Sequence, residues 1–400
     1  MESRFFRKKL KNGLRVVYEK RELPLVSLSI TNPFGAVYEN SKIKGIAHFI
    51  EHLVFTGTKT RTHEDISREI EKKGGILNAF TAQDVTSFWF KLPSEHVFAG
   101  LDIITDIMNN PIFEEKKFEK EKKVVIEEIK MYHDMPQKHV MDQIESNLYG
   151  KPFGEGIAGS VKTLNELKRD FVADYFKNVY TGENYIVTIV GDVDFDKVCE
   201  YLEKKFISKS RNLELPKIEK WNKNSVEKRA GIDQAHFVLA FHAPLFTDKE
   251  YYDLAVLDAY LARGMSSKLF LEIREKRGLA YTVRSSLATE KNYSYYSVYV
   301  GTTKKAVKEV HGLIVQGFKD VEKMNEKDLE EAKEMLIGLR KVSSEESSDV
   351  MNELMYHELI GKAEDYYDYE NKVMNVKLED VKRTATNAIK KYSTAAIVPK

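Results

Sequence analysis

Hydrophobic and polar positions switch between two periods along this chain, and the switches mark its elements. Gly13 to Tyr18, entered through a Lys11–Asn12–Gly13 turn, and Leu25 to Thr31 read as strands. A helix carrying His48 and His52 follows and stops near Gly57; another runs from about Glu64 to Lys73, ended by Gly74–Gly75. Residues 77–92 alternate as one long strand. Helical spacing returns at 95–108, 114–131, 137–148 and 172–178. Tyr185 to Val190 is apolar throughout, as in a buried strand, and a helix covers 195–206.

Residues 207–226 break this rhythm with Ser, Asn, Pro216 and interspersed Lys and Glu, which marks 213–226 as a linker. Beyond it the order repeats. A strand at 236–242 leads to helices at 251–262 and 267–276, strands at 281–287 and 293–300, five more helices and a closing strand at 395–398. Strand, helix, strands, helices, strand thus occurs twice with a period of roughly 200 residues. The expected fold class is α+β: two homologous domains, 1–212 and 227–400, each a mainly antiparallel sheet with helices packed on one side.

Composition narrows the function. A chain of 400 residues exceeds one core, which agrees with two domains. With 63 basic and 62 acidic residues the net charge is +1, so nothing favours nucleic acid or an acidic partner surface. The lone Cys199 excludes an intramolecular disulfide and suits a reducing compartment. No signal peptide and no apolar run long enough to span a membrane is evident, so a cytoplasmic setting is expected.

The candidate chemistry begins at His48–Phe49–Ile50–Glu51–His52. Two histidines four apart on a helix share a face and can grip one ion, with Glu51 between them to work on a water. A catalytic zinc needs a third protein ligand. Glu121 and Glu128, two turns apart on the helix at 114–131, can supply it; they read equally well as solvated charges of an amphipathic helix. The aromatic group Tyr293, Tyr295, Tyr296 and Tyr299 reads as core, and His236 and His242 as structural.

Taken together these residues resemble the pitrilysin family of inverzincin peptidases, which includes insulysin and the mitochondrial processing peptidase. The resemblance covers nearly the whole chain. It includes Lys11 to Val16, Gly45–Ile46–Ala47 before the metal motif, Asn78–Ala79–Phe80–Thr81, Asn184 to Gly191, Gly264 to Phe270, and the run from Arg274 through Gly278 to Tyr281. Lys151 stands where the family often has His.

The resemblance implies that His48, His52 and Glu128 bind one Zn²⁺ per chain, with water at the fourth position; Mn²⁺ or Co²⁺ could substitute. It implies Glu51 as general base and Glu121 as the residue orienting His52. Asn78, Ala79, Phe80 and Thr81 would form a strand edge that takes an extended peptide substrate. Arg274 and Tyr281, otherwise an unremarkable charged helix end before a glycine, would grip the peptide and stabilise the oxyanion. The second half has no metal motif; its counterpart helix is expected at Ser267 to Leu271. Short family members form half of a clamshell, so a homodimer is expected, with Arg274 and Tyr281 completing the partner's site. A heterodimer with a metal-less paralogue is the other arrangement. The expected function is a zinc endopeptidase for unfolded peptides; the alternatives are a processing peptidase for targeting sequences and a non-catalytic subunit.

Overall fold

The computed structural model describes residues 4–207, 214–215 and 217–400. Its strands are β1 (Phe5–Lys9), β2 (Arg15–Lys20), β3 (Leu25–Asn32), β4 (Ile76–Thr81), β5 (Thr86–Pro93), β6 (Ile186–Gly191), β7 (Asn224–Arg229), β8 (Ala235–His242), β9 (Ala280–Thr289), β10 (Ser294–Thr302) and β11 (Ser393–Pro399). The helices of the first half are α1 (Ile46–Val54), α2 (His63–Glu71), α3 (Val97–Asn109), α4 (Glu115–Asp134), α5 (Pro136–Leu148), α6 (Val161–Glu166), α7 (Arg169–Val179) and α8 (Phe195–Lys205). Those of the second are α9 (Glu250–Leu261), α10 (Lys268–Phe270), α11 (Val307–Asp320), α12 (Glu326–Ser343), α13 (Ser347–Ile360), α14 (Tyr369–Met374) and α15 (Leu378–Ala388).

Two sheets form, with orders β1-β2-β6-β3-β5-β4 and β7-β11-β8-β10-β9. Each is antiparallel except for one parallel pair, β2 with β6 and β7 with β11. Without β1 the two orders correspond strand for strand, so the repeat legible in the pattern is a repeat of topology. Expected strand 77–92 is instead a hairpin: the Ala82 N–H bonds the Val85 carbonyl at 2.8 Å, and Gln83–Asp84 turn the chain. The linker expected at 213–226 runs into β7, which starts at Asn224; residues 213 and 216 of that stretch lie outside the described ones.

The halves of the sequence do not coincide with the compact units. One unit comprises Met1–Ile129, Gly156–Pro216 and Ser343–Tyr366; the other comprises Lys130–Glu155, Lys217–Val342 and Tyr367–Lys400. The contiguous domains 1–212 and 227–400 therefore need this correction: α5 belongs with the second sheet and α13 with the first. Alternation along the strands explains it. In the first sheet Val16, Tyr18, Val187 and Ile189 point into the main core. Val17 and Val190 point the other way, where Val350, Met351 and Leu354 of α13 cover them. A sheet buried on both faces needs a second layer. In the second unit Val140, Ile144 and Leu148 of α5 are fully buried, and Asn147 Nδ2 donates to the Thr394 carbonyl at 3.0 Å. Helices thus lie on both sides of each sheet, with the larger set on one.

Charge fixes α13 in place. The Glu358 carboxylate is fully buried and takes Arg7 Nε and Nη2 at 2.8 and 3.0 Å and Arg15 Nη1 at 3.1 Å. Glu358→Gln removes the charge from this fork and leaves two guanidinium groups short of a partner. The expected loss is about 2–3 kcal/mol, less than the ~3–5 kcal/mol of a fully buried broken pair because both arginines keep some solvent. Urea unfolding of the variant checks it; a loss below about 0.5 kcal/mol, the usual surface effect, would show that the pair does not anchor α13.

Candidate metal centre and active site

Helix α1 carries the motif because one of its faces is wholly apolar. Ile46, Ala47, Phe49, Ile50, Leu53 and Val54 are buried, which leaves His48, Glu51 and His52 on the remaining side. Helix α4 buries Phe118, Lys122 and Val125, a two-turn stripe, and Glu121 and Glu128 stand three residues after the first and last of these. Phe49 and Phe118 meet edge to face with centroids 5.0 Å apart, which docks α1 on α4. Lys117 Nζ, one residue earlier, donates to the Thr56 carbonyl just past α1 at 2.8 Å.

The docking brings His48 Nε2 to 3.8 Å and His52 Nε2 to 3.3 Å from the same Glu128 oxygen. Among the described residues this is the one group of three His, Cys, Asp or Glu whose donor atoms all lie within 4.8 Å of one another. Ligand atoms about 2.0–2.1 Å from a tetrahedral zinc stand about 3.3 Å apart, so the spacing fits the ion. Two imidazole nitrogens and one carboxylate also suit it chemically. Glu121 Oε1 lies 3.0 Å from His52 Nδ1, the nitrogen that faces away from Glu128. That contact fixes the ring and leaves Nε2 for a metal.

The electrostatics separate the two histidines. Burial, reinforced by the nearby His52, lowers His48 to about 4, so its imidazole is neutral and ready to coordinate. Burial also works against a charge on His52, but hydrogen bonds to Glu121 and Glu128 outweigh it and lift this ring to about 9. The Glu51 carboxyl is raised by burial, with the Thr81 hydrogen bond pulling the other way. A base made more basic than an exposed glutamate is what abstraction from water requires.

Thr81 is the residue whose role the sequence did not reveal. Its hydroxyl donates to Glu51 Oε2 at 2.5 Å. Thr81 ends β4, which is the outermost strand of its sheet, so Asn78, Ala79, Phe80 and Thr81 all lie on an edge. The one hint in the sequence was position: the strand follows the two helices after the motif.

Arg274 and Tyr281 lie in the second unit and meet each other there. The Arg274 guanidinium sits 4.8 Å from the Phe270 ring and 4.9 Å from that of Tyr281, which is 77% exposed. Expected helix 267–276 is a single turn of α10 that widens into a π turn over Leu271–Glu275. The counterpart of α1 is not this segment but α9, the first helix after β8, as α1 is the first after β3. Helix α9 is buried nearly all round, and its Asp258 is consumed by Tyr296 and Arg263 at 2.8 Å each. It has no face left for ligands.

Comparison with known proteins agrees with this geometry. Residues 15–160 match the model of "Insulinase (Peptidase family M16)" and residues 166–336 that of "Peptidase M16 inactive domain". A Bacillus subtilis protein named "uncharacterized zinc protease YmxG" is 31% identical over 97% of both chains. The chain belongs to peptidase family M16. It is of the short, two-domain, pitrilysin-like type. A Rickettsia felis protein named "uncharacterized zinc protease" is 30% identical over 100% of this chain and 98% of its own. Among solved structures, a Helicobacter pylori protease superposes with a TM-score of 0.91 at 23% identity over 99% of both chains, which speaks for the fold. The inactive-domain match falls on the half that lacks the metal motif.

Glu121→Gln is expected to lower zinc affinity by about 10–100-fold, the usual effect of removing the partner of a metal-bound histidine. Competition against a chromophoric chelator measures it. Unchanged affinity would make Glu121 a bystander.

Proposed function

We propose that the chain is a zinc-dependent endopeptidase for unfolded peptides. The observation that supports this most is the convergence of His48, His52 and Glu128 beside a Glu51 that is tied to an edge strand. In this reading the three residues hold Zn²⁺, whose Lewis acidity makes a water nucleophilic near neutral pH. Glu51 takes that water's proton on its carboxylate and passes it to the leaving amine. Thr81 keeps Glu51 in place. The outer edge of β4 offers main-chain donors and acceptors to an extended peptide, which would pair as an added strand with little demand on sequence.

The test is hydrolysis of a quenched fluorescent peptide, with metal content measured in parallel. Chelation should abolish cleavage and added zinc restore it. Glu51→Gln should keep about one zinc per chain, the count of a single three-ligand site, yet lose about 10²–10⁴-fold in turnover. Loss of zinc in that variant would make Glu51 a ligand. Zinc without any cleavage by the unaltered chain would favour the non-catalytic reading, and cleavage confined to targeting sequences the processing one.

The same reading includes a homodimer in which Arg274 and Tyr281 of one copy complete the site of the other. The exposed Tyr281 ring, with the Arg274 guanidinium over it, is consistent with it. Mixing Glu51→Gln chains with Arg274→Ala chains should then recover activity, because one composite site is intact. No recovery after demonstrated subunit exchange would sink the trans arrangement.

A further inference from the structure

We infer that Glu39, paired with Lys44 under the start of the metal helix, is a positioning residue that sets the register of His48, Glu51 and His52. Both charges are buried almost completely, at 0% and 1% exposure. An isolated charge so placed is strongly disfavoured, so its partners tell what it is for. Glu39 Oε2 accepts the N–H of Gly45 at 2.9 Å and Oε1 that of Ala47 at 2.8 Å. Lys44 Nζ lies 3.6 Å from Glu39 and donates to the Ala36 carbonyl at 3.0 Å.

These bonds replace a cap that α1 lacks. Its N-cap residue is Gly45, which has no side chain, and its first turn holds no acidic residue. The N–H groups that open a helix need an acceptor, and a carboxylate there also gains from the helix dipole. Glu39 provides both from outside the helix. The backbone closes the other side. Gly45 has φ of +96°, and a Cβ there would meet the Ala158 carbonyl oxygen at 2.5 Å; a side chain on Gly159 would likewise collide with the Lys44 carbonyl. The first turn is therefore held between a carboxylate and a loop.

Register is what this arrangement controls. His48 follows Ala47 directly, so the bonded amide and the first candidate ligand are neighbours in the chain. A slip of one residue turns a helix by about 100°, enough to carry His48 away from Glu128. Buried ion pairs add little to stability and are best attested as devices that select one arrangement. The inference rests on the peptidase reading only for its effect on turnover; its effect on metal binding is independent of it.

The experiment compares the full-length protein with Glu39→Gln and with the charge-neutral double variant Glu39→Gln/Lys44→Met. Zinc affinity by chelator competition, urea unfolding of the stripped protein, kcat and KM are measured on each. Expected for Glu39→Gln is a loss of about 10–100-fold in zinc affinity and a fall in kcat at unchanged KM. The double variant regains folding stability by removing the stranded ammonium group but keeps the zinc defect, because the carboxylate cap is still missing. It also carries the test if the single variant does not fold. Zinc affinity within about twofold of the parent in the double variant, whatever its stability, would overturn the inference. An unaltered chain that binds zinc but cleaves no peptide would overturn the peptidase reading alone.

Discussion

The candidate site depends on one contact between helices, the edge-to-face packing of Phe49 and Phe118. Neither helix carries a complete ligand set. Helix α1 has two imidazoles four residues apart, and α4 has carboxylates two turns apart. Their apolar stripes fix how the two cylinders meet, and the polar residues beside those stripes then face each other. The metal-binding geometry is thus a by-product of hydrophobic docking, with Lys117 fastening the far end of α1. Ordinary core packing places Glu128 within reach of both rings, while the specific chemistry is confined to a handful of side chains around it.

Much of this was legible in the sequence because periodicity and spacing carry it. The amphipathic helices appear near their expected bounds, and the spacing within the pentapeptide put His48 and His52 on one face before any coordinate. The family resemblance supplied Glu128 and Glu121, for which spacing alone could not choose between ligand and surface charge. Strands β1 and β7 went unnoticed because both are rich in charge, with Phe5–Lys9 and Asn224–Arg229 reading as solvated chain. Edge strands need only one apolar face, and short ones hardly show it. The hairpin at Gln83–Asp84 was hidden by apolar residues on either side that continue one another's alternation. Thr81 acts through one hydrogen bond to Glu51 and Glu39 through two to the Gly45 and Ala47 amides, and no hydrophobic periodicity records such bonds.

The two sheets share their strand order and have parted company in what their first helix does. In one unit that helix keeps a polar face at the site, capped from outside by a buried carboxylate. In the other, α9 is enclosed, and its Asp258 is spent on Tyr296 and Arg263. Burial on all sides makes a helix a better core element and a worse ligand platform. The difference between a metal-binding half and a half without metal is therefore one of solvent access as much as of histidine count.

The reciprocal placement of α5 and α13 has a consequence for how such a chain can be made. The first sheet needs Ser347–Ile360 to cover Val17 and Val190, and those residues are made long after the sheet's own strands, the last of which ends at Gly191. The first sheet therefore keeps one face bare until Ser347–Ile360 have been made and can dock on it. Apolar surface exposed for that long invites association with other chains. Serine and threonine at Ser27, Ser29, Thr31 and Thr188 soften that face. A sheet that must wait for its cover is safer when part of its waiting surface is hydroxylated.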